Sequence, residues 1–307
     1  MTSERVDVDP ALDDERTSHE YSGDEGALTI VFDDPIVPGR SWYAWLKAHR
    51  KTWMAITGFR EVLLIAGVYS LYDFTRFLVE GESGVAFAHG HSILRIEKTI
   101  GLAPEHALNK LFSAHLALGL SADYMYATLH YLVTPMVLIW LWRRHGPAYS
   151  SARSVLMVAT ILGLVGFSLL PVAPPRMLPG FIDTMAKFSH DGWWGSAASA
   201  PRGLGGDTNQ FAALPSLHVG WALWCGWQLV RYGRHRVTRV LGVLYPLVLS
   251  IDVMATANHY LIDVVAGVAD VCIAYLIVRL LTRVGLVLPP GGRDNIELPP
   301  GSEPARA

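Results

Sequence analysis

The chain has 307 residues, 51% of them hydrophobic and 17% charged, with a formal net charge of −2. Soluble domains carry about 25% charged residues, so a wholly soluble globule is excluded, and the balanced charge gives no footprint for nucleic acid. Its two cysteines, Cys225 and Cys272, both lie in apolar runs and read as buried, inert thiols rather than a disulfide or metal ligands.

Residues 1–39 form an acidic segment with Asp7, Asp9, Asp13, Asp14, Glu15, Glu20, Asp24 and Glu25. It reads as a disordered tail, and residues 1–30 hold no apolar core of a cleavable signal sequence. Within 40–60, Trp42, Tyr43, Trp45 and Trp53 alternate with Arg40, Lys47, Arg50, Lys51 and Arg60, the mixture expected of a helix lying at a membrane interface. Six apolar stretches follow, at about 60–79, 121–142, 151–172, 215–232, 237–257 and 259–283, each near the ~20 residues that cross a bilayer. The first carries Asp73 and Arg76 in its outer half. Residues 92–118 have helical period but carry Arg95, Glu97, Lys98, Glu105 and Lys110, and so read as amphipathic or partly re-entrant. Residues 285–307 are rich in Pro and Gly and read as a second disordered tail. The expectation is an all-α, polytopic six-helix transmembrane bundle over 40–284 with an extra amphipathic interfacial helix.

Charge sets the expected orientation. Arg143, Arg144 and Arg153 flank one turn, Arg231, Arg234, Arg236 and Arg239 another, and Arg279 and Arg283 end the last span. All fall on one side of a six-span chain. The positive-inside bias makes that side the cytoplasm, with both termini inside and the 173–214 loop and 256–260 turn facing outward. A multi-pass plasma-membrane protein with an outward-facing site follows.

Three polar clusters meet that outward face. One is Pro171-Val-Ala-Pro-Pro-Arg176-Met-Leu-Pro179, one Leu214-Pro215-Ser216-Leu217-His218, and one Thr256-Ala-Asn258-His259-Tyr-Leu-Ile-Asp263. His259 and Asp263 are four residues apart, so in a helix they share a face. A carboxylate there can hold one imidazole N–H and raise the basicity of the other nitrogen, as a nucleophilic histidine needs. Asn258 is placed to cap the helix start. His218 follows a Pro-Ser turn opening a helix, where free N–H groups favour phosphate and the Ser216 hydroxyl can add to them or serve as an N-cap.

Pro-Ser-x-His followed by His-x-x-x-Asp at the start of a later span resembles the type 2 phosphatidic acid phosphatase superfamily, over about residues 60–283. Ala173-Pro174-Pro175-Arg176 and Asn258-His259-Tyr260-Leu261 followed by Asp263 are closer to its inositol phosphorylceramide synthase-like, inositolphosphotransferase, branch. The resemblance implies that His259 attacks phosphorus and becomes phosphohistidine. It implies that Asp263 orients His259, and that His218 protonates the leaving oxygen and then activates water or an acceptor alcohol. It also implies a lipid phosphate as substrate, with no metal and no cofactor. The chain departs from the phosphatase pattern at three places. Leu169 stands where a Lys is expected, Asp252 and Val253 replace a Ser-Arg pair, and Leu217 replaces Gly. Arg176 is then the expected phosphate clamp, with Lys187 and Arg202 as lesser candidates, since a phosphoryl transition state needs a cation.

Other polar residues have two readings. His130, with Asp123, Tyr126 and His115, lines a lipid cavity or forms an internal network. Asp252 supports the site from its own helix or pairs elsewhere, and Asp270 needs a partner. Asp207 and Asn209 bind a headgroup or sit in a solvated loop. Trp193, Trp194, Trp221, Trp224 and Trp227 read as interfacial and lipid-facing. Two rival functions stand beside the enzyme: a membrane transporter whose histidines bind a metal, and a catalytically inert membrane scaffold.

Overall fold

Apolar runs separated by Pro, Gly and Arg fold here as a succession of helices. The computed structural model describes residues 83–194 and 210–284, with Leu63 and Gly67. The expected interfacial helix at 40–60, the two tails, and Arg202, Asp207 and Asn209 lie outside the described residues, as does the 60–79 stretch except for Leu63 and Gly67. The helices are α1 (Ser83–Thr99), α2 (Pro104–Ala114), α3 (Leu116–Arg144), α4 (Gly146–Leu169), α5 (Thr184–Lys187), α6 (Leu217–Tyr232), α7 (Arg236–Ala255) and α8 (Leu261–Arg283). A 3-10 turn spans Pro175–Met177, and Val172 and Ala212 form an isolated parallel bridge. The all-α class is as expected.

Among the described residues, four helices are long and apolar enough to cross a membrane: Leu116–Arg144, Ala148–Leu169, Arg236–Ala255 and Leu261–Arg283. The stretch at 215–232 folds as α6, with only 16 residues. At 1.5 Å per residue α6 reaches about 24 Å, short of the ~30 Å hydrocarbon thickness. Ser216 caps its start and Gly233 ends it, and it packs against α3, α4, α7 and α8. Half of its residues are buried, while Trp227 is exposed.

Packing between apolar helices in lipid gains little from hydrophobic transfer and depends on close approach. At the α6–α7 crossing Gly226 and Gly242 face one another, so that a Cβ on either would meet the other's carbonyl oxygen. The half distant from the motifs is filled by Leu141, Val155, Leu156, Trp224, Cys225, Val271 and Val278. The other half is filled by Met185, Trp194, Val219, Leu249, Val253 and Val264. Trp194 and Trp224 are fully buried, which corrects their expected lipid-facing placement: each indole N–H finds a carbonyl, of Met185 and Ala152 respectively. The outward faces of the long helices expose Leu132, Met136, Ile139, Val240, Leu244, Leu247, Val265, Leu276 and Leu280. Such a belt suits a bilayer and no aqueous surface. Cys272, expected buried, is exposed on this belt, while Cys225 is buried as expected.

The 92–118 segment differs from its expected form. It comprises the end of α1, all of α2 and the start of α3, with a break at Gly101, whose φ is 72°. Arg95, Lys98 and Lys110 are exposed, as an amphipathic reading requires, but Glu97 and Glu105 are wholly buried. The helices alternate in direction, so the ends of α4 and α7 and the starts of α3, α6 and α8 gather at one rim with α1 and α2. The arginines at 143, 144, 231, 234, 236 and 239 belong to the opposite end.

Candidate active site

Prolines on either side fix the first cluster. Pro174 is extended and Pro175 opens the 3-10 turn, so Arg176 leaves the chain in a set direction. The Arg176 N–H donates to the Ala257 carbonyl at 2.8 Å, its Nη1 donates to Asn258 Oδ1 at 2.9 Å, and its Nε lies 3.5 Å from Asp183 Oδ2. The guanidinium is thus held at the 256–260 turn by two side chains. Asn258 therefore does not cap α8, contrary to the expectation from sequence. Tyr260 is the N-cap, and Asn258 Nδ2 donates to Thr256 Oγ1 at 3.0 Å while its oxygen receives Arg176.

His259 lies in that turn, two residues before α8 begins, rather than on the helix. Its backbone N–H donates to Val253 O. Its Nδ1 is 2.8 Å from the Ala213 carbonyl oxygen and 3.4 Å from Asp263 Oδ2. A carbonyl accepts only, so Nδ1 carries the proton and Nε2 keeps its lone pair. The carbonyl is the shorter partner; Asp263 is secondary to it on the ring. Asp263 Oδ2 also accepts the Tyr260 N–H at 2.9 Å, so the same carboxylate caps the first turn of α8. The second oxygen, Oδ1, is buried with no partner among the described residues.

Ser216 is the N-cap of α6, its oxygen accepting the Val219 N–H at 3.5 Å, and it is completely buried. The Ser216 N–H donates to Asp263 O at 3.0 Å, which ties the starts of α6 and α8 together. His218 follows in the first turn. Its ring stands 6.0 Å from the His259 ring, centroid to centroid. Tyr126 stacks on it at 4.3 Å and His130 meets it edge-on at 4.5 Å. The Nε2 of His218 is buried without a hydrogen-bond partner among the described residues. His130 Nδ1 lies 3.1 Å from the Tyr126 carbonyl, so this histidine is half of a buried wall behind His218.

The structure therefore gathers His218, His259, Asp263, Ser216, Asn258 and Arg176 at one rim. Asp252 is buried, and the acidic group beside it is Asp123 on α3, whose Oδ1 accepts the Thr184 hydroxyl at 2.6 Å. Lys187 donates to the Ser113 carbonyl at 2.7 Å. Sequence reasoning missed three contributors: Asp183 against Arg176, the Ala213 carbonyl against His259, and the buried pair Glu97 and Glu105 behind α8. A backbone carbonyl leaves no side-chain signal. The glutamates were visible only as charges in a stretch too apolar for them. Among the described residues, no group of three or more His, Cys, Asp or Glu is arranged to hold a metal ion.

The family model of the PAP2 superfamily matches residues 91–277, well over half of the chain. The chain belongs to the PAP2 superfamily. The match spans α2 to α7 in full, with the greater part of α1 and α8, and so takes in every motif residue of the rim. PAP2 members are phosphatases and phosphotransferases, and membership supports an enzyme of membrane phosphatase type. Comparison with curated proteins and with solved structures finds no match. Within a PAP2 chain, Leu217 is accommodated by a complementary vacancy on α4. A Cβ on Gly163 would meet Leu217 Cγ at 3.0 Å, and Leu164 and Phe167 close over the side chain.

Proposed function

We propose that this PAP2 protein transfers a phosphoryl-linked group from a lipid phosphate through a phosphohistidine on His259. The observation that carries the reading is the pairing of rings: His259, its Nε2 lone pair free, faces His218 across 6.0 Å, with Arg176 anchored at the same turn. In the first step the His259 Nε2 lone pair forms a bond to phosphorus. The bond from phosphorus to the leaving oxygen breaks, and that oxygen takes its electron pair and the proton of the His218 imidazolium. The phosphate's own negative charge favours that imidazolium in an apolar setting. In the second step His218 takes a proton from water or from an alcohol, the oxygen attacks phosphorus, and the P–N bond breaks. Arg176 neutralises charge on the equatorial oxygens. Asp263 and the Ala213 carbonyl keep His259 in the reactive tautomer. Neither step calls on a metal or a cofactor.

Transfer to an alcohol is favoured over hydrolysis by the likeness of Ala173–Arg176 and Asn258–Asp263 to the inositol phosphorylceramide synthase-like branch. The segregated arginines favour a plasma-membrane enzyme with both termini cytoplasmic and its site at the outer leaflet. Purified protein in mixed micelles, given a lipid labelled at phosphorus, tests the chemistry. The expected result is acid-labile, base-stable label on the protein, absent in His259→Ala. In His218→Ala turnover falls by about 10²–10⁴, the range for general acid–base groups. Label appearing in a second lipid marks transfer, and free phosphate marks hydrolysis. Full turnover by His259→Ala overturns the mechanism.

A further inference from the structure

Behind α8 lies a second pair of acids that the chemistry above does not use. Glu97 on α1 and Glu105 on α2 are each 0% exposed. Glu97 Oε1 accepts the Ile262 backbone N–H at 2.7 Å, in the first turn of α8 and next to Asp263. The two glutamate carboxyls lie within hydrogen-bonding reach of each other. Glu97 Oε2 and both Glu105 oxygens have no donor among the described residues. Two carboxylates brought together out of water cannot both ionise without heavy cost, whereas one shared proton turns an unsatisfied pair into a donor and an acceptor.

We propose that Glu97 and Glu105 form a proton-sharing carboxyl pair that positions the start of α8, and through it Asp263 and His259, so that losing the shared proton disables the site. This rests on the assignment of His259 as the nucleophile. The facing groups are few. Glu97 faces Glu105 and Asp263, Glu105 also faces His106 on its own helix, and Tyr260 at the head of α8 faces all three acids. Among the described residues, only His106 can add positive charge beside Glu105; the others named add negative charge or none. Burial, then the neighbouring Glu105 and Asp263, push Glu97 up to about 8, against the lowering effect of the Ile262 N–H. Burial likewise raises Glu105. The sign follows. A group whose value is raised by folding stabilises the fold while protonated, and that stabilisation is lost as pH rises through its folded value. The first turn of α8 then loosens on the alkaline side, not the acid side.

The pair differs from the catalytic groups in what it predicts. Glu97→Gln keeps an acceptor for the Ile262 N–H and gains a fixed donor toward Glu105, so its proton can no longer leave. Glu97→Ala removes both.

The test uses the full-length protein in micelles, with infrared pH-difference spectra and turnover measured across neutral and alkaline pH. Wild type is expected to lose a protonated-carboxyl band near pH 8, and to lose turnover in step with it. Glu97→Gln is expected to lack that band change and to hold its neutral turnover to higher pH. Glu97→Ala is expected to lose about tenfold or more in kcat at every pH with little change in KM, as for a misplaced nucleophile. Glu105→Gln is the second variant, with the same expected spectrum as Glu97→Gln. A wild-type spectrum that either glutamine variant leaves unchanged overturns the pair. A band change that both variants remove, without any shift of the alkaline limb of turnover, overturns its control of the site. The infrared arm reads the shared proton without turnover, so a missing phosphohistidine would be recognised separately.

Discussion

Asn258 decides where the Arg176 guanidinium points, because its Oδ1 receives Nη1 while its amide is tied to Thr256. Asn258→Ala removes that acceptor and leaves Asp183, at 3.5 Å, as the remaining side-chain partner. A hydrogen bond to a charged group is worth about 1.5–3 kcal/mol, so kcat/KM is expected to fall roughly 10- to 100-fold. The thermal midpoint is expected to fall modestly as well, since Asn258 is buried and its loss leaves the Thr256 hydroxyl without the amide donor. Unchanged kinetics in Asn258→Ala would detach Arg176 from phosphate binding. Leu217 makes a different point. Leu217→Gly restores the residue of the phosphatase pattern, yet it empties the space that Gly163 leaves on α4. A buried Leu truncation costs about 2–5 kcal/mol, so a large drop in thermal midpoint is expected, with no gain in activity. A stable or faster Leu217→Gly protein would show that the α4 vacancy is not matched to leucine. At this scale the motif residues were legible from spacing together with the family resemblance. Their partners were not, since Asp183 and the Ala213 carbonyl come from segments distant in sequence that meet only in the folded rim.

Among elements, the α7–α8 turn carries the strain. Ala257 has φ 57°, is wholly buried, and gives its carbonyl to the Arg176 N–H. The left-handed region costs a non-glycine residue about 1–3 kcal/mol and is worst for branched side chains. Ala257→Gly is therefore expected to hold or raise the thermal midpoint, while Ala257→Val lowers it and weakens substrate binding by shifting the Arg176 anchor. Equal midpoints for the two would rule out the strained turn. The turn also shows why His259 was misplaced by the helical reading. A four-residue spacing brings His and Asp together equally well when the histidine precedes the helix and the aspartate caps it. The α1–α2 region was legible as helical but not in its facing. Periodicity locates charges on a helix, yet only the packed structure shows that Glu97 and Glu105 turn inward while Arg95 and Lys98 turn out.

For the whole molecule, composition and apolar run lengths were enough to read a helical membrane bundle, because each long helix must satisfy its own backbone in lipid. They could not show that α6 is short and half-buried, since a buried helix and a lipid-facing one have the same apolar composition. Orientation rests on charge. Arg143, Arg144, Arg231, Arg234, Arg236 and Arg239 crowd the short turns distant from the site, and such turns count most in the positive-inside bias. The rim has cations too: Arg176 is held against Asp183 and Asn258, Lys187 is hydrogen-bonded to Ser113, and Arg95, Lys98 and Lys110 are exposed on α1 and α2 rather than in a short turn between spans. A thiol-labelling experiment decides the matter. The thiolate is the reactive form and needs water, so Cys225 in the core and Cys272 on the apolar belt of α8 should stay silent toward an impermeant reagent in intact cells. Ile182→Cys, on the exposed loop beside Asp183, should label in intact cells. Arg234→Cys, in the exposed α6–α7 turn, should label only after permeabilisation. The reverse pattern would turn the bundle over and put the two histidines at the inner leaflet, where the enzyme would draw on a different pool of lipid phosphate.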